Sequence, residues 1–446
     1  MKWADFVSSS NPPAAARRAA ADAALDTIGV TLAGASEPCA RIVQRVVASE
    51  GGGECRVLGT NLSVGAAGAA LANGTAAHAH DFDDMCFVSL AHPSAPLVSS
   101  ALAAAESAAA SGRMLLDAYV VGFEIEARLG RAMNPRHYER GWHCTSTIGT
   151  IGAAAAASRV LGLDPKTIDH ALRIAASEAS GLKGNFGSMV KPLHAGLAAR
   201  NGVLAARLAQ GGMTAGAGAI EGPQGLLAVM DAERDWHDLR PFFEDLGARW
   251  EILDNGITVK LYPSCAATHP SLDVLLDLRR REQLTANDVE AIDVGVDHVT
   301  PTVLIHDCPA DGLQAKFSMK YCAAAALVCG RIGLDTFEDA QVGDREILGL
   351  LPRVTMRVDP TLDPAAPPLT QARVTITLKD GRVLTALACG ARGYPNRPAS
   401  DQEMADKFIA CARRAVSAGA AEHALEMARK IEDIDDVRVL TEILQA

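Results

Sequence analysis

Residues 72–94, which read ANGTAAHAHDFDDMCFVSLAHPS, concentrate many of the ionisable groups of this chain. His78 and His80 stand next to three aspartates, and His92 follows in a His-Pro-Ser sequence. Burying so many ionisable groups is costly unless they are paired or used. The segment therefore indicates chemistry on a small polar substrate.

Three interpretations of this segment are open. On a helix, the spacing would place His78 with Asp81 and His80 with Asp84 on neighbouring faces. The residue types suit zinc or iron, although no HExxH motif accompanies them. Carboxylates that cap helix ends and brace the next loop are a purely structural alternative. We expect catalysis by at least one of these histidines and aspartates together with His92, and no bound metal.

Two further segments place basic side chains where helices are expected to begin. His143 in GWHCTS precedes a small-residue helix, whose positive dipole end favours a neutral imidazole and suits proton transfer. Stacking of this ring on Trp142 is the structural alternative. Lys191 in KPLHAG precedes Pro192, a residue suited to a first helical turn, where an ammonium is costly unless an anion lies opposite. We therefore interpret Lys191 as an anchor for a substrate carboxylate.

The segment KLYPSCAATH lies where the sequence changes from a helical to a mixed pattern. Clefts between domains are common positions for small-molecule sites. A thiol at Cys265, near Lys260, could exchange a proton with a carbon acid, and an inert buried thiol is almost as well supported. Tyr321 lies four residues after Phe317 on an apolar helix, so its spacing alone predicts core packing.

Helices dominate the first half of the chain. Apolar and small residues recur at helical spacing in segments 18–33, 66–76, 97–111, 115–132, 146–161, 167–181 and 194–210. The abundance of alanine and glycine lets such helices pack at short distances. This part of the chain is predicted to form an all-α helical bundle.

Residues 266–395 have a different pattern, in which strands alternate with helices. Residues 353–358 read RVTMRV, and residues 372–388 predict a hairpin with Asp380 and Gly381 at its turn. This pattern is typical of an α+β domain.

The changes of pattern suggest a mainly α, two-domain protein. We predict a helical domain over residues 1–265, an α+β domain over 266–395 and C-terminal helices over 396–446. Ser400 and Glu403 form a capping box that opens the first of these C-terminal helices.

Composition excludes several classes of function. The formal net charge is −11 and no long basic run is present, so nucleic acid and anionic membranes are poor partners. No signal-peptide core and no membrane-spanning apolar run is found, and we expect a cytoplasmic protein. Glycine motifs for NAD or ATP and the GxSxG elbow of serine hydrolases are also absent.

Six segments in order resemble the signature blocks of the MmgE/PrpD family: NGTAAHAHDFDD, HPS, GWHCTSTIGTIGAAAAAS, KPLHAG, KLYPSCAATH and KFSMKYC. The resemblance extends from the first helix to GYPNRPAS. It implies a helical domain completed by the C-terminal tail, an inserted α+β lid domain, a homodimer and a site between the domains. It also implies a small di- or tricarboxylate substrate that gains or loses a proton next to a carboxylate, with no cofactor.

The resemblance also implies which residues are functional: Asp81, His92, His143, Lys191, Lys260, Cys265 and Tyr321. The two lysines, helped by Arg128, would hold carboxylates and stabilise the charge that develops when the α-proton leaves. One of the two histidines would act on one face of the substrate carbon, with Cys265 or Tyr321 on the other. Asp81 would orient a histidine.

Two departures from the family pattern narrow the expected reaction. Cys265 stands where decarboxylases of the family have histidine, and Met85 stands where its dehydratases usually have threonine. Because few hydroxyl-handling groups remain, we expect an epimerase, an isomerase that inverts a carbon of a dicarboxylate such as iminodisuccinate. A lyase that dehydrates citrate or 2-methylcitrate is the alternative. A non-catalytic helical interaction protein is a second alternative, for which replacing Lys191 or His143 would change no turnover.

Overall fold

A computed structural model of the chain describes residues 2–231, 234, 236–362 and 370–446. Helices account for 59% of it and strands for 10%, so the predicted mainly helical class is confirmed. None of the described helices has both the length and the apolarity that crossing a membrane requires.

The chain separates into two compact units. Unit 1 comprises Met1–Ala79, Asp83–Ile257 and Ser400–Ala446, and unit 2 comprises His80–Phe82 and Thr258–Ala399.

Unit 1 is built from helices. Its longer helices are Ala14–Gly34, Pro38–Ser49, Ala66–His78, Ser94–Ala108, Gly112–Met133, Cys144–Val160, Pro165–Glu178, Val190–Gln210, Asp401–Ala412 and Ala418–Arg429. Shorter helices are Lys2–Ser9, Arg136–Glu139, Leu226–Asp231, Trp236–Leu239, Glu251–Asp254 and Arg438–Glu442. The strands Gly52–Arg56 and Ser63–Val64 pair antiparallel.

The helices predicted in the first half of the chain are all present, and most begin a few residues earlier than their apolar pattern suggested. Capping residues explain the difference in two of them. The Ser111 side chain accepts a hydrogen bond from the Met114 backbone N–H, and that of Asp164 accepts from Lys166 and Thr167. Such caps set the first turn, whereas the apolar pattern reports only the buried face.

Small residues bring two helices of unit 1 into backbone contact. A Cβ atom at Gly196 would lie 2.4 Å from the Leu71 carbonyl oxygen, and one at Gly74 would lie 2.9 Å from Gly196 Cα. No larger side chain fits at either position unless the backbone moves. Helix Ala66–His78 is therefore held tightly against helix Val190–Gln210.

Unit 2 contains a four-stranded mixed sheet. The strand order is Val354–Val358, Val289–Val296, Ala372–Leu378 and Val383–Ala388; the first pair is parallel and the others are antiparallel. The last two strands form the predicted hairpin, and Gly381 in its turn has φ 90°, a conformation that glycine adopts without strain.

Helices complete unit 2. The longer ones, His269–Glu282 and Met319–Cys329, contribute Leu275 and Tyr321 to a core that also contains Ile292 and Ile376 of the sheet. The shorter helices, each of four to six residues, are Thr300–Val303, Gly312–Ala315, Asp339–Val342 and Arg345–Leu350.

Candidate active site

The residues after helix Ala66–His78 do not continue the helix. The helix ends at His78, and Asp81 adopts the left-handed conformation with φ 52°. The helical spacing considered for this segment therefore does not apply. Instead, His78 Nδ1 lies 2.9 Å from Oδ1 and 2.8 Å from Oδ2 of Asp83, and both side chains are fully buried.

Lys191 completes a chain of three groups with this pair. Its Nζ lies 2.8 Å from His78 Nε2. A protonated lysine can only donate, so Nε2 accepts and the imidazole proton resides on Nδ1, from which it is donated to Asp83. We call this arrangement the Asp83–His78–Lys191 chain. It fixes the His78 tautomer and orients an ammonium that is only 4% exposed.

Two more imidazoles lie next to this chain on the same side of unit 1. His143 is the residue before helix Cys144–Val160, and its ring centroid is 5.9 Å from that of His78. Its Nδ1 lies 3.0 Å from Nδ1 of His194. Burial lowers the pKa of His194 to about 4, and the neighbouring His78 and Lys191 add to this shift. His194 is therefore neutral at pH 7, and the contact needs a proton on only one of the two facing nitrogens.

His92 is oriented by the backbone. Its Nδ1 lies 2.9 Å from the Asp84 carbonyl oxygen, which can only accept, so the neutral ring carries its proton on Nδ1 and its lone pair on Nε2. Its backbone N–H donates to Thr145 Oγ1 at 2.9 Å. The ring centroid lies 4.5 Å from that of His78, and the side chain is 11% exposed. This geometry suits a proton acceptor or donor.

The aspartate behind His92 is a buried acid. Burial raises the pKa of Asp84 to about 8, although the Ser94 hydroxyl and backbone N–H both donate to its carboxyl group. Ser94 Oγ also lies 2.6 Å from the Tyr119 hydroxyl. Asp84 is thus largely protonated at neutral pH, and its carbonyl rather than its carboxyl group orients His92.

Other predicted residues lie in unit 2. Lys260 Nζ donates to the Asp81 carbonyl oxygen at 2.8 Å and to its Oδ2 at 3.0 Å, and Lys260 is fully buried. Lys316 Nζ lies 3.3 Å from His80 Nδ1. The backbone N–H of Cys265 donates to the Lys316 carbonyl oxygen at 3.0 Å. Asp81, Lys260 and Cys265 therefore belong to one connected group of contacts.

Two predicted residues have other partners. The Tyr321 hydroxyl donates to the Thr336 carbonyl oxygen at 2.5 Å within the core of unit 2. The guanidinium of Arg128 donates to the carbonyl oxygens of Phe242 and Arg249 and pairs with Asp245. Arg128 thus ties helix Gly112–Met133 to the segment near residue 245 instead of joining Lys191.

A divalent metal is conceivable at His78, Asp83 and His92, since one ligand atom from each lies within 4.8 Å of the others. The difficulty is His78, because both of its ring nitrogens already have partners in the Asp83–His78–Lys191 chain. An ammonium 2.8 Å from Nε2 would also repel a cation bound there. The donor set fits proton transfer better than metal binding.

Sequence reasoning did not assign roles to His78, Asp83 and His194. A usable signal existed for His194, which follows Lys191 by three residues and so lies on the same helix face. The His78–Asp83 pair had no such signal, because its five-residue spacing matches neither helix nor strand and depends on the turn at Asp81.

Known protein families and relatives match most of the chain. The MmgE/PrpD N-terminal domain matches residues 1–239, and the MmgE/PrpD C-terminal domain matches residues 262–433. The chain is 30% identical to cis-aconitate decarboxylase of Homo sapiens over 84% of this chain and 79% of that protein. It is 26% identical to cis-aconitate decarboxylase of Aspergillus terreus over 99% of this chain and 94% of that protein.

Proposed function

This chain belongs to the MmgE/PrpD family, and from that premise we propose that it is a cofactor-independent lyase acting on a small tricarboxylate of the cis-aconitate or citrate type. The observation that carries the proposal is the Asp83–His78–Lys191 chain with His92 and His143 beside it. The names of the relatives support a lyase better than the epimerase that we expected from the sequence.

Lys191 is the proposed anchor for a substrate carboxylate. Its ammonium is oriented by His78 and is almost fully buried, and charge contacts are stronger in such an environment than in water. An anionic substrate would supply the negative charge that makes the buried cation favourable. The same contact would stabilise negative charge that develops on the substrate during the reaction.

His92 and His143 are the proposed proton carriers. In a decarboxylation, the bond between a substrate carbon and one carboxylate breaks, CO2 leaves, and the electron pair spreads towards a second carboxylate. A protonated His92 or His143 then donates its proton to carbon and regains one from water. In a dehydration, one of these imidazoles in its neutral form removes the α-proton, and the other, when protonated, donates its proton to the hydroxyl group, which leaves as water.

Asp81, Lys260 and Cys265 belong to unit 2, and their functional roles stay predictions. Only two residues of chain separate Asp81 from His78, and its ion pair with Lys260 links it to the segment that carries Cys265. We leave out Arg128 and Tyr321, because their polar atoms are used in the contacts described above.

An epimerase is the second candidate function. It is favoured by Cys265 and Met85, which replace the histidine and threonine that the sequence pattern associates with decarboxylation and dehydration. An epimerase needs two proton carriers on opposite faces of one carbon, and a thiol can serve as one of them.

Proton NMR in deuterated buffer tests these functions with cis-aconitate, citrate, 2-methylcitrate and iminodisuccinate as separate substrates. We expect turnover of a tricarboxylate, with release of CO2 or formation of an alkene. The Lys191→Met variant should lose at least about 100-fold in kcat/KM, since it removes a buried charge contact to the substrate. The exposed Lys166→Met variant is the matched control and should retain full activity.

Each other result has a distinct meaning. Deuterium incorporation with inversion of iminodisuccinate, without CO2 or alkene, would replace the lyase by the epimerase. Turnover that is identical in the Lys191→Met and Lys166→Met variants would refute the proposed site. No turnover of any of the four compounds would support a non-catalytic protein instead.

A further inference from the structure

Unit 2 carries a groove that the proposed reaction does not use. Its volume is about 1080 Å³, and it is bordered by helix His269–Glu282 and strand Val383–Ala388. Six arginines line it: Arg279, Arg280, Arg281, Arg331, Arg392 and Arg397. We call it the arginine groove.

Positive charge in the arginine groove exceeds what its carboxylates balance. Among the residues that the structure describes, two aspartates line it, Asp273 and Asp277, against six arginines, which leaves four positive charges in excess. Asp335, outside the lining, pairs with Arg331 and balances one more. Such a concentration is unexpected on a chain whose formal net charge is −11.

Arginines in the groove share carboxylate partners instead of each having its own. Asp277 accepts from both Arg280, at 2.9 Å, and Arg281, at 3.2 Å. Arg279 donates through Nε to the Leu327 carbonyl oxygen, and among the residues that the structure describes it forms no ion pair with a carboxylate. A single aspartate cannot neutralise two guanidinium groups, so an added anion would gain charge-assisted hydrogen bonds.

A helix dipole accounts for only part of this charge. Arg279, Arg280 and Arg281 lie in the last turn of their helix, where cations are favoured. Arg331 and Arg392 come from other segments of unit 2 and converge on the same groove. Their presence indicates a binding surface and not merely helix capping.

Part of the remaining lining is apolar. Val274, Leu276, Ile332 and Leu387 are among the lining residues, and Leu387 is 47% exposed. The volume is also in the range of pockets that hold drug-sized molecules, which are larger than a tricarboxylate. A ligand that fills the groove would need both several negative charges and an apolar body.

We propose that the arginine groove binds an organic polyphosphate, a pyrophosphate joined to an apolar ring system as in a nucleoside diphosphate. Guanidinium forks match phosphate oxygens in bidentate geometry, and the apolar lining receives the ring. None of the residues proposed for the reaction lines the groove, and the proposal does not depend on that reaction.

Isothermal titration calorimetry on the full chain at low salt tests the proposal with ADP, inorganic pyrophosphate and citrate as probes. We expect ADP to bind more tightly than pyrophosphate, and citrate to bind most weakly. The Arg280→Gln/Arg281→Gln variant should weaken the binding of ADP and of pyrophosphate about tenfold. Each exposed charge contact contributes up to about fivefold to the affinity. Both side chains are largely exposed, so the fold should tolerate the change.

The Arg357→Gln/Arg382→Gln variant is the matched control. It removes two exposed arginines of unit 2 that pair with aspartates outside the groove, and it should leave ADP binding within about twofold. The Leu387→Ser variant should weaken the binding of ADP but not that of pyrophosphate. Absence of ADP binding, tighter binding of citrate than of ADP, or equal losses in the two double variants would overturn the proposal.

Discussion

At the scale of single residues, one turn determines the chemistry of the candidate site. Because helix Ala66–His78 ends at His78 and the backbone turns at Asp81, Asp83 reaches the Nδ1 side of the imidazole. The other side then accepts a hydrogen bond from Lys191. Asp83 and Lys191 are thus coupled through the two ring nitrogens of His78.

Replacing Asp83 by Asn tests this coupling. Asparagine keeps the size but not the charge that holds the Nδ1 proton of His78, so Lys191 should be less well oriented. We expect kcat to fall about 100-fold or more. KM should change less, and the pH dependence of kcat should shift because the charge near His92 changes. Steady-state kinetics over a pH range measures both effects.

The surface variant His423→Gln is the control for this experiment and should retain the kinetics of the unmodified chain. Circular dichroism would show whether Asp83→Asn preserves the helical content. A well-folded Asp83→Asn protein with unchanged kcat and pH profile would contradict the role given to the Asp83–His78–Lys191 chain.

At the scale of elements, close contact between helices places the site residues. Helix Ala66–His78 brings His78 to its C-terminal end, and helix Val190–Gln210 brings Lys191 to its N-terminal turn. Gly196 allows the two backbones to approach. The alanine and glycine content predicted close packing, but not which glycine would meet which helix.

The Gly196→Ala variant should therefore lose both stability and activity. The added Cβ would lie 2.4 Å from the Leu71 carbonyl oxygen, so one helix must move. We expect a loss of about 2 kcal/mol or more in the free energy of unfolding, a typical cost of overpacking. Calorimetry should report a lower Tm, and kcat/KM should fall because Lys191 moves relative to His78.

Gly419→Ala is the matched helix variant, since no atom lies within 4 Å of a Cβ built there. It should leave Tm unchanged or raise it slightly. If Gly196→Ala were as stable and as active as Gly419→Ala, the proposed helix contact would not control the site.

At the scale of the whole molecule, buried acids link stability to pH. Burial raises the pKa of Asp84 to about 8 and the pKa values of Glu106 and Glu124 to about 7. Burial lowers the pKa values of His137 and His194 to about 4. In the folded chain these acids keep their protons to about pH 7 or 8, whereas in the unfolded chain they release them near pH 4. Their contribution to the free energy of unfolding is therefore fully present at low pH and is lost as the pH rises towards 8.

The histidines act in the opposite direction, but only below their unfolded pKa of about 6.5. Among these five groups, the three acids therefore make the larger contribution between pH 6.5 and 8. We expect the free energy of unfolding to fall by about 2 to 3 kcal/mol over this interval. Scanning calorimetry at the two pH values would detect the change as a lower Tm at pH 8.

The Asp84→Asn variant should reduce this pH dependence, because one of the three groups no longer titrates. The exposed carboxyl variant Asp406→Asn is the control and should keep the full dependence. A Tm that rises from pH 6.5 to 8 would show that other groups govern the stability. The expected homodimer and cytoplasmic location stay predictions.

The sequence by itself determined the helical class, the Asp380-Gly381 hairpin and the ionisable segments worth attention. These features depend on local periodicity, capping and turn chemistry, which a few neighbouring residues specify. The partner of each ionisable group was decided only by the tertiary structure. His78 contacts Lys191, which lies 113 positions away in the sequence, and Lys260 contacts Asp81, which lies 179 positions away. Residues so far apart in sequence come into contact only because the packing of helices and strands places them together.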